Sequence, residues 1–215
     1  MTTKKMLGFL DFLHKNNIFV FNFQQLCLYF SEYTEEELQK CLDRFLKMTL
    51  IKHLYKDLYM DPRSRHLGAY PLEQLIKYLR PLKFSYISQE QILSEYGIIS
   101  QVATLVTCMT TGETEFIVTP IGGISFSHFD PPEDINSFME EIVWDEDKCM
   151  YEATPYRTWL DLKATRSAHM CRLVDREELE EATQGRIPNI DDIDPNLYHK
   201  PVFSEKLTFA NNPTN

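Results

Sequence analysis

The chain has no long apolar run, no paired cysteines and none of the glycine-rich loops that cradle phosphates, and each absence removes a class of protein. A membrane-spanning helix needs roughly 20 predominantly apolar residues; the stretch FNFQQLCLYF is too short and is interrupted by polar side chains. Lys4 and Lys5 lie near the start, but Asp11, His14 and Lys15 spoil any signal-peptide core and no small-residue cleavage site follows. A soluble, cytoplasmic protein with no membrane partner is expected. The five cysteines (Cys27, Cys41, Cys108, Cys149, Cys171) are odd in number, widely spaced and without a CxxC. That spacing argues against both a disulfide framework and a zinc ribbon.

No GxxxxGK[ST], GxGxxG, HExxH or GxSxG occurs. The segment Asp192-Ile193-Asp194-Pro195-Asn196 begins like a calcium loop but lacks the glycine at its sixth position and the closing glutamate. Asp145-Glu146-Asp147 and Glu177-Glu178-Leu179-Glu180-Glu181 are acidic, yet adjacent acids project in different directions and read as solvated faces. His128 and His169-Met170-Cys171 have no second motif to complete a site. No catalytic or metal-binding residue and no cofactor is assigned, and a non-enzyme is expected.

What the chain does have is 43% hydrophobic and 13% aromatic residues, which argue against intrinsic disorder. Its net charge of −10 is unevenly spread. Residues 1–66 hold ten Lys/Arg against eight Asp/Glu, a net of +2, whereas the remainder carries a net of −12. Two segments of different charge suggest two domains with different tasks.

In the first segment, TKKMLGFLDFLHK places Met6, Phe9, Leu10 and Leu13 on one helical stripe. Ile18 to Phe21 is a short β-prone run. Asn22 with Gln25, and Thr34 with Glu37, form capping boxes that open two further helices, NFQQLCLYF and TEEELQKCLDRFLKM. The second of these puts Leu38, Cys41, Leu42, Phe45 and Met48 on one face. LIKHLYKDLYMDP then reads as two short strands around Lys56-Asp57. Helix, strand, helix, turn, helix, hairpin is the order of a winged helix-turn-helix, whose third helix enters the major groove.

The outer face of that helix carries Gln39, Lys40, Asp43, Arg44 and Lys47. Glutamine can read adenine, arginine or lysine can read guanine, and lysines hold phosphates. Lys52, His53 and Lys56 would line the wing, with Arg63 and Arg65 beyond it. Glu35, Glu36 and Asp43 would repel phosphates, and a net of +2 is modest for binding that scales with phosphates neutralised. Candidate DNA-binding residues are therefore Gln39, Lys40, Arg44, Lys47, Lys52, Lys56, Arg63 and Arg65.

The polar join PRSRHLG marks the expected domain boundary. Helices are expected at Pro71 to Leu79 and Gln89 to Tyr96, the latter stopped by Gly97. Strands are expected at Val102 to Met109, Phe116 to Thr119 and Ile124 to Phe129. TTGE would join the first two as a hairpin, and Pro120 to Gly123 the last two. Asp134 to Ile142, Pro155 to Ala168 and Asp175 to Ala182 return to helical spacing. The expected fold class is mixed α/β: a winged helix-turn-helix over 1–66, a mixed α/β C-terminal domain over 67–183, and a loosely packed arm over 184–215.

Several of these pieces resemble one family. They are the wing strand Leu58-Tyr59-Met60, the helix end Ile92-Leu93-Ser94-Glu95-Tyr96-Gly97-Ile98, the strands VATLVTCMTTGE and GISFSHF, and the helix start ATPYRTWLDL. Together they cover roughly residues 5–165 and resemble the AbiEi-type antitoxins of type IV toxin–antitoxin systems. Tyr96 stands where the family usually has histidine, and Tyr156 where it has an acidic residue. The resemblance implies a winged helix that binds inverted repeats in its own promoter and represses transcription. It also implies a C-terminal domain that counters a nucleotidyltransferase-like toxin without requiring a stable complex. Arg157 and Asp161 match the family's helix motif and are the candidate antitoxicity residues, although an i,i+4 pair that fixes a helix start accounts for them equally. Two alternatives remain: a protein-interaction module whose acidic domain engages a basic partner, and a metal-dependent nuclease.

Overall fold

A computed structural model describes residues 1–64, 68–165 and 168–186. The expected C-terminal arm beyond Arg186, its calcium-like segment and Arg65 lie outside the described residues. The fold is mixed α/β, with one three-stranded and one six-stranded sheet.

The first sixty residues follow the expected order: α1 (Thr3–Lys15), β1 (Val20–Asn22), α2 (Phe23–Tyr29), α3 (Glu35–Lys47), β2 (Lys52–Tyr55) and β3 (Leu58–Met60). The strands form an antiparallel sheet in the order β1-β3-β2. Both capping boxes are present, Asn22 with Gln25 and Thr34 with Glu37. Each satisfies helix N–H groups that would otherwise lack partners, a gain of about 1 kcal/mol per cap. Met6, Phe9, Leu10 and Leu13 of α1 pack with Leu26 and with Leu38, Leu42 and Phe45 of α3. Met48 departs from the expected stripe. It is the C-cap of α3 rather than part of its regular turns, and its side chain is exposed.

The remainder contains α4 (Pro71–Leu79), β4 (Ser85–Ile87), α5 (Glu90–Glu95), β5 (Val106–Thr110), β6 (Glu115–Thr119), β7 (Gly122–His128), α6 (Ile135–Glu140), β8 (Ile142–Asp145), β9 (Met150–Ala153), α7 (Pro155–Ala164), α8 (Ala168–Cys171) and α9 (Arg176–Ala182). The six-stranded sheet runs β6-β7-β5-β4-β9-β8. Gly97 closes α5 at φ +71, a left-handed end that glycine adopts without strain. Gly122 sits at φ +141 against Leu72, whose Cδ1 would lie 2.5 Å from an added Cβ.

Three expectations are corrected. TTGE does not make a hairpin, because β5 is flanked by β4 and, in parallel, by β7, while β6 pairs only with β7. The turn instead crosses the end of β7: Thr111 N donates to Phe84 O, and His128 N donates to Thr114 Oγ1. The strand expected from Val102 begins only at Val106, with Val102 itself exposed. The helix expected to reach Ile142 ends at Glu140, and Ile142 opens β8, whose antiparallel partner is β9.

The larger apolar core ignores the expected domain boundary. Phe19, Val20, Leu54, Leu58 and Met60 from the first sheet pack in one cluster with Leu75 and Ile76 of α4 and with Tyr86, Val106 and Phe126 of the second sheet.

Candidate nucleic-acid interface

Because α3 buries Leu38, Cys41, Leu42 and Phe45, its outward positions are the ones expected. Gln39, Lys40, Asp43, Arg44 and Lys47 are all exposed. They are not equally free. Gln39 Nε2 donates to Asp43 Oδ1 at 3.2 Å. The Arg44 guanidinium lies over the Phe45 ring at 5.0 Å and donates from Nη2 to the Met1 carbonyl at 2.6 Å. Lys40 and Lys47 form no ion pair among the described residues. Glu35 and Glu36 occupy the exposed first turn, where they complement the positive helix end and place negative charge on the same helix.

The β2–β3 turn carries Lys56 at φ +48, held by a hydrogen bond between the His53 ring and the Lys56 carbonyl. The Lys56 ammonium sits 5.0 Å from the Tyr55 ring centroid, and Lys52 is exposed at the start of β2. Arg63 is exposed yet engaged: Nε and Nη2 each donate at 3.0 Å to the buried Asp61 carboxylate, which also lies 3.3 Å from His14 Nε2. The hydrogen bonds to Asp61 raise the Arg63 pKa further and tie the guanidinium to the end of β3, although the side chain stays about half exposed.

Arg157 and Asp161 are brought together in the interior of the second part. The Thr154 side chain caps α7 and sets the register that places the two residues one turn apart. Asp161 has no exposed surface. It accepts from Arg157 Nε at 2.9 Å and Nη2 at 2.6 Å, from Tyr86 Oη at 3.0 Å and from Ser88 Oγ at 2.6 Å. Arg157 Nη1 reaches Glu141 at 3.2 Å, and its plane lies over Phe138. Burial pushes the Asp161 carboxyl up, opposed by the guanidinium and by three kinds of donor. Burial alone would lower the Arg157 pKa, but the Asp161 charge and hydrogen bonds outweigh it and hold the guanidinium charged. The arrangement bolts α7 to β4. An aspartate with no exposed surface cannot itself touch a partner protein.

Two further clusters escape a linear reading. Lys148 is buried and donates to both Glu95 oxygens, at 2.9 and 2.7 Å, and to Glu152. Gln91 Nε2 extends this chain by donating to Glu73 at 3.0 Å and Glu95 at 3.1 Å. Only the four-residue spacings of Gln91 with Glu95 and of Lys148 with Glu152 hint at it. The other is a groove of about 890 Å³ between the β2–β3 turn and the second sheet, lined in part by Lys56, Arg80, Lys83 and Glu115. There Tyr55 Oη donates to Glu115 Oε1 at 2.6 Å and Arg80 Nη2 to Glu115 Oε2 at 2.5 Å. The arginine, then the tyrosine, hold the Glu115 carboxyl below its ordinary pKa.

The acidic run Asp145 to Asp147 starts at the end of β8, where Asp145 Oδ1 accepts the Lys148 backbone N–H at 2.7 Å. Among the described residues no group of three His, Cys, Asp or Glu is placed to hold a metal ion. No helix among them is long and apolar enough to cross a membrane. No protein-family model matches this sequence, and a search of curated proteins returns no match.

Proposed function

We propose that the protein is a DNA-binding transcriptional regulator of the antitoxin type. In this reading residues 1–64 act as a winged helix-turn-helix on duplex DNA, and the acidic second part counters a nucleotidyltransferase-like toxin. The observation that carries the reading is α3 itself, a helix opened by the Thr34–Glu37 capping box and packed behind by α1 and α2. It presents Lys40 and Lys47 outward and is followed by a β-hairpin with Lys52 and Lys56. Lysines in such positions contact phosphates, with Gln39 available for a base edge if it exchanges its bond to Asp43. The antitoxin part of the reading rests on the resemblance of the α5, β5–β7 and α7 segments.

The test is a mobility shift of the intact chain on a fragment from upstream of its own gene, repeated across salt concentrations. Lys40→Ala with Lys47→Ala should lower the slope of log affinity against log salt by about two. Arg44→Ala should change it little, since that side chain is bound to the Met1 carbonyl. Equal slopes for wild type and the double variant would remove α3 from the interface. The antitoxin half is tested by looking for a nucleotidyltransferase-like reading frame immediately downstream and asking whether co-expression of this chain relieves the growth arrest it causes; no such frame, or no relief, removes that half.

One observation favours a second reading, a protein-interaction module. Two of the expected DNA-contacting cations, Arg44 and Arg63, are engaged within the chain, while Glu35 and Glu36 are exposed. Copurification of a basic partner, with no shift of the upstream fragment, would select it.

A further inference from the structure

Apart from Lys56, which also stands on the wing, the groove between the β2–β3 turn and the second sheet plays no part in the reading above. Its volume of about 890 Å³ is in the range of small-ligand sites. Its charge runs against its surroundings. Residues from 67 onward carry a net of −12, yet Lys56, Arg80 and Lys83 line this groove against two carboxylates, Glu113 and Glu115.

Arg80 is the most buried of the three cations, with its side chain 13% exposed. Its guanidinium rests on the Phe126 ring at 4.5 Å, donates from Nη2 to Glu115, and donates more weakly from Nη1 to the Leu79 carbonyl at 3.4 Å. Its Nε is buried and has no hydrogen-bond partner, so the protein's own acceptors do not saturate the guanidinium. Lys56 and Lys83 are exposed, and neither forms an ion pair among the described residues.

We propose that this groove binds a phosphate group carried by a small, nucleotide-sized ligand. A planar guanidinium matches phosphate oxygens in a forked geometry, and flanking ammonium groups add charge without demanding one orientation. A duplex backbone would meet the exposed Lys56 and Lys83 but would not reach the buried Arg80, which favours a small ligand. The phosphate would share Arg80 with Glu115, and Glu115 is the group that accepts the Tyr55 hydroxyl. Occupancy therefore draws on the same arginine that steadies the hairpin. The proposal does not depend on duplex binding.

Titration calorimetry of the full chain with pyrophosphate and with ATP, at constant ionic strength set by sodium chloride, tests this. Saturable binding is expected for at least one probe, weakened at least tenfold in Lys83→Ala, which alters an exposed side chain and spares the fold. The bound probe should also raise the melting temperature of the wild type more than that of the variant. Absence of saturable binding, or equal binding by wild type and variant, overturns the proposal. It is also overturned if Lys83→Ala lowers the salt slope of duplex binding while neither probe binds, because the lysine then serves a nucleic-acid backbone.

Discussion

The Tyr55 hydroxyl donates to Glu115 at 2.6 Å, and this one bond ties the hairpin of the first sheet to an edge strand of the second. A phenol on a carboxylate is a charge-assisted contact, and it is only partly buried. Tyr55→Phe should lower stability by about 1 kcal/mol at neutral pH. Because the carboxyl of Glu115 is held below its ordinary value of 4.5, the clasp contributes fully above that pH and is lost as pH falls through the depressed value. Urea unfolding of wild type and variant should therefore differ at pH 7 and converge in acid. A constant difference would show that Glu115 is not the partner that matters.

The Arg157–Asp161 pair should behave as buried charge rather than as a surface helix pair. Removing one partner strands the other, so Asp161→Ala should cost about 3–5 kcal/mol. Replacing both with apolar residues of similar size, Arg157→Met with Asp161→Leu, should cost less than Asp161→Ala alone. Denaturant melts of the three variants decide this; a double variant worse than the single one would contradict it.

Gln89 has φ 61 and ψ −130, a strained backbone conformation for a residue with a Cβ, at the turn from β4 into α5. Its side chain donates to Thr165 Oγ1 at 3.1 Å, which both Gln89→Ala and Gln89→Gly would abolish. Glycine also relieves the strain. Gln89→Gly should thus be more stable than Gln89→Ala by about 1 kcal/mol, the reverse of the order inside a helix. Thermal or urea unfolding of the two variants reads the sign directly.

Glu36 opposes itself in two properties. It sits in the first turn of α3, where a negative charge stabilises the helix by about 0.5 kcal/mol. In the proposed interface the same charge repels phosphates. Glu36→Gln should bind the upstream DNA fragment more tightly while unfolding slightly more easily. Weaker DNA binding in that variant would mean that the helix start faces away from the duplex.

The helices of the first part were legible from an apolar stripe in α1 and α3 and from capping boxes opening α2 and α3. Thr3–Lys15 matches its expected span, and so does Pro71–Leu79 in the second part, where a proline at the first turn marks the start. β4 was not legible. Its three residues are all buried, which gives no alternation, and they follow a loop that resembles many others. The β8–β9 hairpin was hidden because its turn puts Cys149 at φ +51, where the usual sequence signals are glycine or asparagine. The candidate α3 cations were visible from spacing alone, but the bonds that occupy Arg44 and Arg63 were not, since the first partner is a carbonyl 43 residues away. Asp161 could be read as one half of a helix pair. Tyr86 and Ser88, at 75 and 73 residues' separation, could be found only in three dimensions.

The shared core of the two sheets has one last consequence. Phe19, Val20, Leu54, Leu58 and Met60 find their packing partners on the far side of residue 66. A fragment cut there would bare that apolar surface to water and become adhesive. Residues 1–64 are thus not a detachable tool: grafted onto another protein, they would have to travel with the acidic body that covers their back.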